Sequence, residues 1–203
     1  MNRRLAGWVA IGAIMGLLLA TPGIAALKPG AKAPAFTAQA SQAGKDFTFS
    51  LKDALKKGPV VLYFYPAAYT GGCDLEAHTF ASEKQKFDSA GATIIGVSAD
   101  SIQRLNDFSS DPDYCAGKFP VASDADGKIA ASYGLKLIPP QADVTDIRGA
   151  KVTHGFIPRT TFVIAKDGKI VTSLSSNEDH IKPDEHVSKS LAVVQQMRAG
   201  KTP

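Results

Sequence analysis

The rhythm of apolar and polar positions changes several times along the chain. Residues 5–20, LAGWVAIGAIMGLLLA, are apolar throughout, preceded by Arg3 and Arg4 and followed by the small, helix-breaking TPGIAA. That order predicts a secretory signal peptide over residues 1–25, cleaved after Ala25, with Gly23 and Ala25 as the small residues before the cut. The alternative is a retained membrane anchor, because no charge falls between Leu5 and Leu27; Pro22 and Gly23 interrupt such a helix and favour cleavage. Residues 27–45 show no period and read as an irregular lead-in. DFTFSL (46–51) alternates like a short strand, LKDALKK is a short helical turn stopped at Gly58-Pro59, and VVLYFYP (60–66) is a continuous apolar run. A run of that kind predicts a strand buried on both faces.

From Cys73 to Gly91 the apolar residues Ala77, Phe80 and Phe87 recur at helical spacing, and Gly91 is a C-terminal stop. ATIIGVSAD is a second buried strand. SIQRLNDFSS is a second helix opened by a capping Asp or Ser. KFPVASDADGKIAASYGL gives a short extended piece, a turn and a short helix. RTTFVIAKDGKIVTSLSS is a hairpin turning at Asp167-Gly168, and PDEHVSKSLAVVQQMRAG closes the chain as an amphipathic helix with Pro183 near its start. Residues 26–203 thus read as one α/β domain. Its central mixed sheet is flanked by helices in the order β-α-β-α-β-hairpin-α, the thioredoxin-like arrangement.

Composition adds less. The 203 residues are 44% hydrophobic and 21% charged, enough for one domain with a core. Cleavage at Ala25 removes Arg3 and Arg4 and no acid, so 23 basic residues become 21 against 19 acidic ones, a balance of +2. There is no basic stripe with interleaved aromatics, and a nucleic-acid partner is not expected. Export would place the two cysteines, Cys73 and Cys115, in a disulfide-permissive compartment, the periplasm.

Candidate chemistry centres on YPAAYTGGCDLEAH, residues 65–78. A strand end, a glycine-bearing turn and a helix start place Cys73 near unpaired backbone N–H groups and the positive end of the helix dipole. That setting lowers a thiol pKa and supplies thiolate. The alternative is a buried cysteine that simply fills space, but strand-to-helix turns in open α/β sheets are where ligands bind.

Pro66-x-x-x-Thr70-x-x-Cys73 resembles the P-x-x-x-T-x-x-C signature of the peroxiredoxins, thiol peroxidases on a thioredoxin-like fold. Glu76 extends it to the form of the bacterioferritin-comigratory-protein branch, also called PrxQ. Pro158-Arg159-Thr-Thr-Phe-Val-Ile is similar to the family's arginine-led strand, and the resemblance spans roughly residues 28–198. It implies that Cys73 attacks the terminal peroxide oxygen and becomes a sulfenic acid. Thr70 would hydrogen-bond peroxide and thiolate, and Pro66 would limit solvent. Arg159, one of four arginines left after export with Arg104, Arg148 and Arg198, would hold the thiolate and polarise the O–O bond. Glu76 would orient Arg159. No cofactor and no metal is implied. The partners implied are a peroxide, hydrogen peroxide or organic, and a thioredoxin-like or other thiol reductant acting on a monomer or weak dimer, with no stable membrane insertion after cleavage.

The chain departs from the family pattern in two places. Many PrxQ members carry a resolving cysteine five residues after the first, where this chain has His78. That is about 500° around a helix, and His78 reads as a surface residue. Other members place that cysteine on the helix after the next strand; Cys115 falls in that region, and the resemblance implies a Cys73–Cys115 disulfide after local unfolding. Gly71-Gly72 stands where relatives have Pro-Gly. Residues 139–157, with Asp143, Asp146 and His154, form a longer stretch read as a surface loop, the Asp/His spacing being unconvincing for metal. Three rivals remain. A thioredoxin-type oxidoreductase needs C-x-x-C, where Glu76 stands. A copper-delivery protein needs C-x-x-x-C, where Ala77 stands. A binding module would hold Cys73–Cys115 as a static bridge.

Overall fold

The computed structural model of the protein describes residues 25–201, so the expected signal peptide lies outside the described residues except for Ala25. The elements are β1 (Thr37–Gln42), β2 (Lys45–Ser50), α1 (Leu51–Lys57), β3 (Val60–Phe64), α2 (Gly71–Ser89), β4 (Thr93–Ser98), α3 (Ile102–Ser110), β5 (Val121–Ser123), α4 (Lys128–Ser132), β6 (Thr160–Ile164), β7 (Ile170–Ser175), α5 (Ser176–Asp179) and α6 (Pro183–Arg198). One sheet holds all seven strands in the order β2-β1-β5-β4-β3-β6-β7. β3, β4 and β5 run parallel to one another, and every other pairing is antiparallel. This is the mixed, thioredoxin-like sheet expected.

Alternation along the central strand divides the core. Val61, Tyr63 and Tyr65 face the layer formed by α2, α3 and α6, whereas Val60, Leu62 and Phe64 face the layer of α1 and α4. Every residue of β3 is buried, which explains its unbroken apolar run. Tyr63 lies across β4 and stacks on Phe80 at 4.6 Å between ring centroids. Gly96 leaves the space, since a Cβ there would meet the Tyr63 ring at 2.6 Å.

Residues 27–45 are not simply irregular: β1 lies within them, paired with β2 through a two-residue turn at Ala43-Gly44 whose φ angles are 51° and 74°. Its buried residues are Ala38, Ala40 and Ser41, too small to leave a hydrophobic period in the sequence. Helix α2 also starts two residues before Cys73, at Gly71, with Thr70 as its N-cap. Two glycines are poor helix formers, so the sequence pattern marks the start too late. Among the described residues no helix is long and apolar enough to cross a membrane.

Candidate active site

The Pro66–Cys73 motif sits where β3 leaves the sheet and α2 begins. Cys73, in the first turn of α2, is only 2% exposed. Its backbone N–H donates to the Thr70 carbonyl at 2.7 Å, so its own amide is occupied while the sulfur faces inward. Glu76 lies three residues further on the same helical face. Both meet Arg159, which directly precedes β6: Arg159 Nη2 donates to Cys73 Sγ at 3.2 Å, and Nη1 pairs with Glu76 Oε2. A planar guanidinium fork therefore spans a thiol and a carboxylate. Gly72 makes room for it, since a Cβ there would come within 3.2 Å of Arg159 Nη2 and 3.3 Å of Pro183. That accounts for the second glycine of the pair; at Gly71, where relatives have Pro, a Cβ would meet nothing within 4 Å.

Burial dominates the electrostatics. It pushes the Cys73 thiol up, opposed by the Arg159 charge, an Ala67 backbone hydrogen bond and the Thr70 side chain, while Glu76 adds to the rise. The lowered pKa expected from a helix N-terminus is thereby corrected: the sulfur is shut away from water, and desolvation outweighs the cation and donors. Glu76 is raised to about 7 by burial, against the pull of Arg159, and its Oε1 is buried without a partner. Thr70 and Pro66 are half-buried at the mouth. The Thr70 hydroxyl donates to the Ala67 carbonyl at 2.7 Å. His186, on α6, bridges the Thr161 hydroxyl at 3.0 Å and the Ser176 hydroxyl at 2.9 Å. Burial and the Arg159 charge depress it to about 4, so it stays neutral.

Cys115 shares the core layer with Cys73 but occupies different ground. It is fully buried in the turns after α3 rather than on the helix, because α3 ends at Ser110 before Asp111-Pro112. Ala116 N–H donates to the Asp111 carbonyl and Gly117 N–H to that of Ser109, and Ala116 takes a left-handed φ of 50°. Tyr114 stacks on Phe108 at 5.3 Å and meets Tyr69 edge-on at 5.4 Å over this turn. Both cysteines are free thiols. His78 is exposed, as expected, but its Nδ1 lies 2.9 Å from the Asp113 carbonyl and ties α2 to the Cys115 turn.

The 139–157 stretch is not merely a surface loop. Asp143 is exposed, but Asp146 is buried and pairs with Arg104 at 2.8 Å, and His154 Nε2 meets buried Asp100 at 2.8 Å. Ile147 N–H donates to the Tyr69 carbonyl at 3.0 Å, and the Arg148 guanidinium lies 3.4 Å from the Tyr69 ring centroid. Asp100, Arg104, Arg148 and Tyr69 were not singled out as site residues from sequence. The arginines were the signal that could have found two of them, since Arg is the residue of choice for buried ion pairs and stacks on aromatic faces. Among the described residues no group of three or more His, Cys, Asp or Glu is arranged to hold a metal.

A thioredoxin-like sheet presenting a thiol at a strand-to-helix turn, beneath a buried arginine, defines a thiol-dependent peroxidase. The AhpC/TSA family pattern matches residues 29–173, and the chain belongs to that family, the peroxiredoxins. It is 35% identical over 146 residues to a provisionally named peroxiredoxin of Mycobacterium tuberculosis, covering 72% of this chain and 84% of that one. It is 31% identical over 169 residues to the chloroplastic peroxiredoxin Q of Oryza sativa subsp. japonica, covering 83% and 67%. Among solved structures it is similar to the peroxidoxin BcpB of Mycobacterium tuberculosis, with TM-score 0.68, 29% identity and coverage of 84% and 98%. It is likewise similar to the Xanthomonas campestris bacterioferritin comigratory protein, with TM-score 0.62, 26% identity and coverage of 80% and 92%.

Proposed function

We propose that this peroxidase reduces hydrogen peroxide and organic hydroperoxides through Cys73, with Cys115 as the resolving thiol. The Cys73 thiolate attacks the terminal oxygen of ROOH, the O–O bond breaks, and RO⁻ leaves to be protonated to ROH. Cys73 is left as sulfenic acid. The Cys115 sulfur then attacks that sulfenic sulfur, forming the disulfide and releasing water, and two thiol equivalents from an external dithiol restore both cysteines. Arg159 stabilises the thiolate and the negative charge on the leaving oxygen. Thr70 and Pro66 shape the mouth, and Glu76 orients Arg159.

The observation that carries this reading is the 3.2 Å hydrogen bond from Arg159 to Cys73 Sγ at the start of α2. A C-x-x-C exchange is not favoured, because Glu76 occupies the second cysteine position and itself grips Arg159. The reductant is a thioredoxin-like protein, the working form a monomer or weak dimer, and the site of action the periplasm after removal of residues 1–25. Peroxide consumption with dithiothreitol by wild type, Cys73→Ser and Cys115→Ser tests the scheme. Full activity in Cys73→Ser overturns it. Absence of a mass-mapped Cys73–Cys115 disulfide after one equivalent of peroxide overturns the assignment of Cys115.

A further inference from the structure

The loop that carries the motif is held by one charged pair acting on a single residue. Ala68 is fully buried. Its N–H donates to Asp100 Oδ2 at 2.8 Å and its carbonyl accepts from Arg104 Nη2 at 2.7 Å. Asp100 is fixed by the Ser98 hydroxyl at 2.7 Å and by His154 at 2.8 Å. Arg104 Nε lies 2.8 Å from Asp100 Oδ1, an ion pair whose N–H is not aligned for a hydrogen bond. Asp146 Oδ2 holds the guanidinium from the other side at 2.8 Å. The Asp146 carboxylate also accepts the backbone N–H groups of Arg148 and Ala150.

The segment around Ala68 is linked to the reacting thiol through Ala67 and Thr70. Ala67 supplies the backbone hydrogen bond that favours the Cys73 thiolate, and its carbonyl accepts the Thr70 hydroxyl. Tyr69 takes a left-handed φ of 59°. For a residue with a Cβ that conformation costs about 1–2 kcal/mol, and it persists only where the surroundings over-determine it. Here those surroundings are the Ala68 grip, the Ile147 amide on the Tyr69 carbonyl and the Arg148 guanidinium on its ring. Released from them, the Ala67–Thr70 segment has a lower-energy backbone available, and its donors leave the sulfur.

We propose that Asp100, Arg104 and Asp146 are positioning residues that set Cys73 reactivity by clamping both backbone groups of Ala68, with residues 144–152 completing the clamp. None of the three touches the reacting atoms; they act through the loop. The inference deepens the reading of Cys73 as the peroxide-reactive thiol and rests on it.

The test uses Asp146→Asn, Arg104→Lys and Arg148→Gln in the full chain. The two readouts are the rate constant of Cys73 with hydrogen peroxide and the thiolate titration followed at 240 nm. Asp146→Asn and Arg104→Lys are expected to slow the peroxide reaction roughly tenfold to a hundredfold, and to move thiolate formation to higher pH. Charge alone predicts the reverse for Asp146→Asn, since removing an anion eases ionisation of a nearby thiol. Arg104→Lys keeps the charge and loses the fork. Arg148→Gln, on a side chain 40% exposed, is the variant least at risk of misfolding. It is expected to change both readouts in the same direction by a smaller factor. Folded variants with wild-type peroxide rates, or an Asp146→Asn thiol that ionises at lower or unchanged pH, overturn the proposal. If instead Cys73→Ser keeps its peroxidase activity, the reading of Cys73 fails; if Cys73 is required and all three variants match wild type, only the clamp fails.

Discussion

Two cysteines share one hydrophobic layer and are buried to nearly the same degree, yet their neighbours differ in kind. Around Cys73 stand a guanidinium, a hydroxyl and a backbone donor, all of which favour the thiolate against the burial that pushes the thiol up. Cys115 lies in the aromatic-rich core layer, where burial pushes its thiol up and the charges of Asp111 and Asp74 push it further. Burial alone would make both inert. What separates a nucleophile from a reserve thiol here is the sign of the charge that replaces water. The proposed order of events follows: Cys73 can be ionised where it sits, whereas Cys115 has first to be exposed by opening of its turn.

The comparison breaks most directly at Arg159. Arg159→Met removes the only opposing cation among the leading influences on Cys73 and leaves Glu76 buried against it. The peroxide rate constant is expected to fall roughly a hundredfold to a thousandfold, the range seen when one charge-stabilising donor is deleted. Arg159→Lys, which keeps charge and loses the fork, is expected to fall between. Stopped-flow measurement at saturating reductant checks this, and an Arg159→Met enzyme as fast as wild type removes the distinction between the two thiols. Next in size, Cys115→Ser is expected to oxidise at Cys73 but to form no intramolecular disulfide, so excess peroxide carries it on to sulfinic acid. Intact mass shows this as two added oxygens on Cys115→Ser where wild type loses two hydrogens.

A smaller effect is expected from the cover of the second thiol. Tyr114→Ala deletes a stacked and an edge-on aromatic pair above the Cys115 turn, each worth about 0.5–1.5 kcal/mol. Losing both, about 1–3 kcal/mol together, opens the turn roughly fivefold to a hundredfold more often, at about 1.4 kcal/mol per factor of ten. Alkylation of Cys115 in the reduced protein should accelerate by that factor while alkylation of Cys73 is unchanged. Equal acceleration at both cysteines would mean that they sit in one opening unit rather than two.

The elements were legible where a face is wide and apolar. The unbroken run at 60–64 and the hairpin around Asp167-Gly168 left no competing period. β1 was not legible, because strand Thr37–Gln42 buries alanines and a serine and owes its existence to β2 beside it. The motif residues Cys73, Glu76 and Arg159 were legible as a set, and the structure brings them together across 86 positions of sequence. Their support was not. Asp100 reads as a helix cap and Asp146 as a loop residue, and only folding reveals that Asp100 reaches Ala68 directly and Asp146 reaches it through Arg104. The raised Cys73 thiol was missed for the same reason. A helix start is visible in sequence, whereas the depth at which it is buried depends on everything packed over it.

The finest distinction concerns Glu76, which belongs to the Cys73 side alone. Its folded pKa of about 7 lies above its ordinary 4.5, so the folded state keeps a proton that the unfolded chain has released. The stability this group contributes is complete below pH 4.5 and is lost as pH rises through 7. His186 behaves oppositely: at about 4 against 6.5, it contributes stability above pH 6.5 that is lost as pH falls towards 4. Between pH 4.5 and 6.5 the two slopes oppose each other. Above 6.5 the Glu76 slope runs on to about 7 and is joined by that of His154, which the Asp100 carboxylate raises above its ordinary 6.5 against the effect of burial. In Glu76→Gln the decline above pH 6.5 is expected to be shallower than in wild type, because the Glu76 share is gone and the His154 share is left. The difference between the two urea-unfolding series isolates the carboxyl, and its slope cannot exceed about 1.4 kcal/mol per pH unit for one proton. If Glu76→Gln declines above pH 6.5 as wild type does, the buried carboxyl is already ionised at neutral pH. The guanidinium is then neutralised from one side at rest, and the contrast between the two thiols narrows to the hydrogen bonds from Ala67 and Thr70.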